Sequence, residues 1–201
     1  ISGPLFTTFA AGSYLISAYP EERVFIDGRL EVHSTAHYER YVRMLQGGPA
    51  WQQADAQFRF NAAIVQYMEA MDLTLERLRD PGWVPVFLDD NAIVFLRRNE
   101  ANQQIIERDG ITDQKLTERF PLLDAAGAEA VPLPPVPSWT ARHLGVVRFP
   151  WSEMNLGQFF LAVGRDRFAA AQFAAGVAAA PALAAPRVML ASALSRLGKP
   201  A

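Results

Sequence analysis

Short apolar runs broken by polar turns fill the first hundred residues. Residues 5–9 (LFTTF) form a β-branched and aromatic run that reads as a strand. Residues 14–19 then predict a short helix, stopped by Pro20. Residues 23–27 (RVFID) read as the clearest buried strand, closed by Gly28. Ser34 or Thr35 caps the next helix, in which Tyr38, Tyr41, Val42 and Leu45 fall at helical spacing as one apolar stripe. Gly47, Gly48 and Pro49 end it, and a further helix from Ala50 carries Trp51 inward. Residues 61–68 (NAAIVQYM) suit a strand or a helix, and residues 73–78 suit a helix. Residues 83–88 and 92–96 flank Asp89, Asp90 and Asn91 as a hairpin, and Pro85 puts its first strand near an edge. Strands alternating with helices imply an α/β fold: a Rossmann-like three-layer sheet with a terminal antiparallel hairpin.

The period changes in the second half. Residues 100–108 look helical and lead out of the sheet, and residues 115–126 suit a helix interrupted by Pro121. Residues 131–137 (VPLPPVP) are proline-dense and read as a stiff linker or surface wrap, with a polyproline ligand as the sharper alternative. Beyond them, Leu156, Gly157 and Phe160 are followed by Ala169, Phe173 and Pro181. That spacing is the tetratricopeptide pattern, in which a small residue lets two helices approach and aromatic residues fill the space between them. Leu190, Ala191, Leu194 and Gly198 repeat the register of Leu156, Gly157, Phe160 and Gly164. Glu153 stands where that pattern usually has Trp, and Gly176 where it has Ala. The expected organisation is an α/β domain over 1–99, a helical connector and Pro-rich linker over 100–137, and an all-α module over 138–201. That module holds one full repeat at about 150–183 and an incomplete second.

Composition narrows the function classes. The chain has 201 residues, half of them hydrophobic, with a net charge of -2. Acidic and basic residues are interspersed, which argues against nucleic acid as a partner. There is no cysteine, so disulfides, thiolate metal sites and cysteine nucleophiles are excluded. The opening residues lack a signal-peptide pattern, and residues 168–185 are too broken by Gln172, Gly176 and Pro181 to span a membrane. The chain opens on Ile1 and reads as a piece excised from a longer protein. No Gly-rich phosphate loop follows a strand, and no cofactor motif is present.

Residues 12–45 hold Gly12, Ser13, Tyr14, Leu15 and Ile16, then Phe25-Ile26-Asp27-Gly28-Arg29, and residues 83–97 add a tryptophan-led hairpin. Over residues 6–98 the chain resembles the extracytoplasmic C-terminal domain of a family of bacterial polytopic membrane proteins. These are similar to membrane-embedded (GT-C-like) glycosyltransferases that use polyprenyl-linked donors. Many members carry Trp-Gly-Gly where this chain has Ala11, Gly12 and Ser13. The resemblance implies an extracytoplasmic (periplasmic) location and an accessory role. The family's chemistry is attributed to a membrane half that this chain does not contain, so the resemblance supplies no catalytic residue.

Asp27 and Arg29, with Glu31 and His33 nearby, stand at the carboxyl end of the best strand, where α/β sheets commonly bind ligands. They read either as a small polar pocket for a sugar or phosphate, or as a turn in which Asp27 pairs with Arg29. His33 and His37 share metal-site spacing, but a helix starting between them breaks the geometry. Asp89 and Asp90 read as turn residues, and Ser13, Ser17 and Ser138 lack a triad context. Trp139, Phe149, Trp151 and Phe159 line either a partner groove or a seam between modules. Two functions lead, and a free-standing enzyme, suggested by the α/β shape alone, stands third. One is a non-catalytic domain binding a protein, a peptide or the membrane-embedded part of its parent. The other is a ligand-binding α/β domain that helps a membrane glycosyltransferase hold a glycan or lipid-linked sugar.

Overall fold

The computed structural model describes residues 3–21, 23–123 and 149–198. Among them are four strands and nine α-helices, a mixed α/β architecture. The chain divides into two compact units, Ile1–Ile111 and Thr112–Ala201.

The first unit is built on one open sheet. Strands β1 (Leu5–Thr7), β2 (Ala62–Gln66), β3 (Trp83–Leu88) and β4 (Ala92–Arg97) lie in the order β1-β2-β4-β3. β1 pairs with β2 in parallel, and both other pairings are antiparallel. The sheet is therefore mixed, with less parallel character than a Rossmann-like sheet. The expected hairpin is β3–β4, and the Asp89 carboxylate closes its turn by accepting the N–H groups of Asn91 and Ala92 at 2.9 and 2.7 Å. Pro85 lies on the edge strand, where a missing N–H is tolerated, and the register slips between Pro85 and Phe87. Of residues 61–68, Ala62–Gln66 form a strand, with Ala63 and Val65 fully buried between two neighbouring strands.

Residues 23–27 correct the expectation of a strand. Only Val24 bridges, in parallel, to Leu5. Side chains replace the ladder beyond it. Thr7 Oγ1 donates to the Ile26 carbonyl at 3.2 Å, and His37 Nε2 lies 2.8 Å from the Phe25 carbonyl. Phe25 and Ile26 are buried, so the apolar run reported burial and not pairing.

Helices cover both faces of the sheet. Helix α1 (Phe9–Ala18) begins well before the expected Tyr14. Its Leu15 joins Leu5, Ala62 and Leu96 on one face. On the other face, Phe6 meets Tyr41 of α2 (Thr35–Met44) and Trp51 of α3 (Gly48–Phe58), with ring centroids 6.3 and 5.0 Å apart. Ser34 caps α2, its Oγ accepting the His37 N–H at 3.2 Å. The buried face of α2 is Tyr41 and Met44, whereas Tyr38 and Val42 of the expected stripe are exposed. Pro49 stands in the first turn of α3, where its ring suits the helix start. Helix α4 (Met71–Arg79) packs beside α3 and β3.

Residues 100–111 belong to this unit rather than to a connector. Helix α5 (Gln103–Asp109) sets Ile105 and Ile106 against the Leu5 cluster. Buried Asn102 donates to the Arg97 carbonyl at 2.8 Å and to Asn61 Oδ1 at 3.1 Å, tying the segment to the sheet.

The second unit is helical: α6 (Asp113–Arg119), α7 (Trp151–Ala162), α8 (Asp166–Ala179) and α9 (Ala184–Arg196). Helix α6 stops at Arg119, short of the expected 126. Helix α8 packs against both α7 and α9. A Cβ on Gly157 would stand 2.7 Å from Phe173 Cδ1 and Cζ, so the ring lies directly on the α7 backbone. Buried Phe160 stacks on Phe168 at 5.0 Å and meets Phe120 edge-on at 5.3 Å. Gly164 and Gly198 follow α7 and α9 with φ of 73° and 74°, a left-handed conformation suited to glycine. The proline-dense residues 131–137 lie outside the described residues. Among the described residues, no helix is long and apolar enough to cross a membrane.

Candidate functional site

The chain leaves β1 through α1 on one face and re-enters the sheet at β2 after α2 and α3 on the other. Opposed connections of this kind open a crevice at the carboxyl ends of the strands, the usual ligand position in α/β sheets. Asp27 and Gly28 follow the segment bridged to β1, while Thr8 and Phe9 follow β1 itself. The sequence-derived candidates Asp27 and Arg29 stand at this end of the sheet.

Most of their polar groups are already engaged. Asp27 is 2% exposed. Its carboxylate accepts the Arg29 backbone N–H at 2.8 Å and takes the guanidinium in a fork, at 3.0 Å from Nε and 2.9 Å from Nη2. The Arg29 side-chain bond is the main cause that lowers the Asp27 pKa to about 2, against the opposing effect of burial. The same pair raises the Arg29 pKa. His33 Nε2 lies 3.5 Å from Asp27 Oδ2 and accepts the Asp27 N–H at 3.4 Å. Its ring stacks on His37 at 5.3 Å, and His37 is held by the Phe25 carbonyl. Glu31 stands exposed in a short 3-10 turn and reaches Arg29 only as a nearby charge. The structure thus brings Asp27, Arg29 and His33 together and leaves Glu31 outside. Ser13 accepts the Gly28 N–H at 2.7 Å and donates to the Phe9 carbonyl at 2.9 Å.

Tyr41 closes the other half of the edge. Its hydroxyl accepts the Phe9 N–H at 2.9 Å, at the start of α1, and donates to the Glu69 carboxylate. Burial and then the Glu69 bond push the Tyr41 pKa up, so the phenol stays neutral. An N–H that in many α/β proteins meets a ligand here meets a side chain. Among the described residues no group of three metal-ligating side chains is found.

The aromatic candidates separate. Phe149 packs on Trp151 at 4.4 Å, and Trp151 is 66% exposed. Phe159 is buried in the helical core beside Phe160. Trp139 lies outside the described residues.

Sequence reading did not anticipate a second polar cluster, between α3 and α4. A cavity of about 460 Å³ is lined there by Trp51, Asp55, Glu76, Arg77, Arg79 and Asp80, among others. Arg77 is buried, with its guanidinium 5.1 Å from the Trp51 ring and 5.9 Å from the Trp83 ring. Its Nη1 donates to Asp80 at 2.8 Å and its Nη2 to Glu76 at 2.6 Å. The second Glu76 oxygen accepts the Gly48 N–H, the second Asp80 oxygen the Gly82 N–H, and Asp55 pairs with Arg97. Among the described residues, no acceptor meets the buried Trp51 Nε1 or Arg77 Nε of this cluster. Each such group costs about 1–3 kcal/mol. The signal available in the sequence was Arg77 itself, an arginine in register with the buried Leu73 and Thr74 of α4.

Compared with known protein families, curated proteins and solved structures, the chain finds no match.

Proposed function

We propose that this chain is a non-catalytic interaction or accessory domain, the extracytoplasmic part of a bacterial membrane protein. The engaged carboxyl edge carries this reading. Asp27, Gly28, Phe9 and Tyr41 all take their partners from the chain itself. A catalytic or ligand-binding edge keeps such groups free for the substrate. The location and the membrane-bound parent rest on the resemblance of residues 6–98 and on nothing else.

The helices of the second unit are the proposed contact for a protein or peptide, with the membrane-embedded part of the parent as the other partner. Their tetratricopeptide-like reading is supported by the close approach of Phe173 to Gly157 and by matching left-handed glycines at 164 and 198. Exposed Trp151 and Val188 give that unit apolar contact area. Neither a cofactor nor nucleic acid is part of this function.

The second reading, a ligand-binding α/β domain that helps hold a glycan or lipid-linked sugar, draws on the position of Asp27 and Arg29 at the carboxyl end of β1 alone. Fractionation and protease accessibility of the full-length gene product test the first reading. The account expects the parent in the membrane fraction, with this domain cleaved by protease added to the periplasmic side. A soluble cytoplasmic product contradicts it.

A further inference from the structure

We infer that the open stripe of α9 is a docking site for one amphipathic helix of a partner protein, a helix that presents an aromatic ring to Ala191. This deepens the interaction reading proposed above and rests on it. Met154, Gly157 and Phe160 of α7 are spaced three apart and share one helix face. All three are buried, Met154 at 4% and Phe160 at 0% exposure. This face holds α8: the Phe173 ring lies on Gly157, and Phe160 stacks on Phe168 at 5.0 Å. Val188, Ala191 and Leu194 occupy the same register positions in α9. Gly198 follows α9 as Gly164 follows α7, with φ of 74° and 73°. Yet Val188 is 64% exposed, and Ala191 and Leu194 are partly open. Another face of α9 is already in use. Pro186, Leu190 and Ala193 are buried, and Pro186 Cβ lies 3.6 Å from a Cβ placed on Gly176 of α8. Helix α9 thus packs on α8 with one face and repeats, on a second, the positions with which α7 holds a helix.

The α7–α8 contact also selects the chemistry of the partner. On α7 the smallest residue of the stripe, Gly157, receives the aromatic ring. On α9 the smallest is Ala191, with Val188 and Leu194 a turn away on either side. A small residue between two aliphatic ones is a shallow seat for a ring, and none of the three side chains offers a donor, an acceptor or a charge. A sugar or an anion therefore gains nothing there, whereas an apolar helix face does. In α8 the residues one turn from Phe173 are small: Ala169, Ala170 and Gly176 are all buried. They let the ring and the backbone come close to α7. The partner helix for α9 carries the same arrangement, an aromatic residue with small residues three and four positions away.

The chain has no cysteine, so Val188→Cys supplies a single thiol at an exposed position of the stripe. Its rate of alkylation by iodoacetamide reads whether the stripe is covered. The probe is a helix of the stated chemistry: residues 165–181 copied directly after Gly198, as they follow Gly164 in the chain. The copy is expected to slow alkylation at least about tenfold and to raise the melting temperature. The same copy with serine in place of the phenylalanine that matches Phe173 leaves alkylation fast. So does Ala191→Leu, which fills the seat from α9 itself at a partly open position. Circular dichroism and the melting transition show that each variant is folded. Alkylation as fast with the copy as without it overturns the proposal, and so does equal slowing by the serine version. Slow alkylation of the chain alone, with a doubled mass in light scattering, also overturns it, because a second copy of the chain then takes the stripe. In the purified full-length gene product the thiol is expected to stay reactive. Protection there overturns the assignment to a partner protein, because a segment of the parent then covers α9. Fractionation of the parent is indifferent to all of these results, so this site and the membrane location fail separately.

Discussion

Asp27 accepts three hydrogen bonds from one neighbour, and this gives the loop a pH dependence. Its folded pKa, about 2, lies below the ordinary 3.8. Stability from this group is therefore complete above about pH 4 and is lost as pH falls toward 2. The Arg29 side chain is 58% exposed, so solvent screening keeps the contribution small. Denaturant unfolding at pH 6 and pH 2.5 should show that loss as part of the native protein's acid destabilisation, and Asp27→Asn should make the difference smaller. An Asp27→Asn variant with the same acid loss contradicts the assignment. Tyr41 makes a second point at this scale. Tyr41→Phe leaves the Phe9 N–H without its acceptor, and a cost of about 1–3 kcal/mol in unfolding free energy is expected.

Among the elements, those set by steric contact or by turn chemistry were legible in the sequence. The β3–β4 hairpin announced itself through Asp89 and its flanking apolar runs, and Ser34 announced the start of α2. Residues 23–27 were misread because a buried apolar run looks the same whether its backbone pairs with a strand or with side chains of Thr7 and His37. The start of α1 was missed because Phe9, Ala10 and Ala11 continue an apolar run without a polar cap, and no side-chain cap bond is made at Thr8. In the helical unit the Phe173 ring lies directly on Gly157 of α7. Gly157→Ala inserts a methyl group into that contact and should cost about 1–3 kcal/mol, read from the thermal transition. Gly164→Ala places a side chain at a φ of 73° and should cost about 1–2 kcal/mol. Full stability in both variants contradicts the packing described for α7 and α8.

For the whole molecule, the mixed α/β class was legible, while the α3–α4 cleft was not. Alternation of strands and helices is a local pattern, so it survives in the sequence. The cleft joins Trp51 on one helix to Arg77 on another, and no spacing along the chain reports such a meeting. The Asp27 cluster lay between these cases. Its residues were visible as a group, but whether they face a ligand or one another is a matter of geometry. That geometry makes them a closed lock, and the proposed accessory role rests on it. A thermal-shift screen of this protein against sugars, polyphosphates and nucleotides, with Arg29→Ala in parallel, tests this most directly. The account predicts no ligand-dependent rise at the Asp27 edge and a lower melting temperature for Arg29→Ala without any ligand. A ligand that raises the melting temperature of the native protein, with the rise abolished by Arg29→Ala, would contradict it.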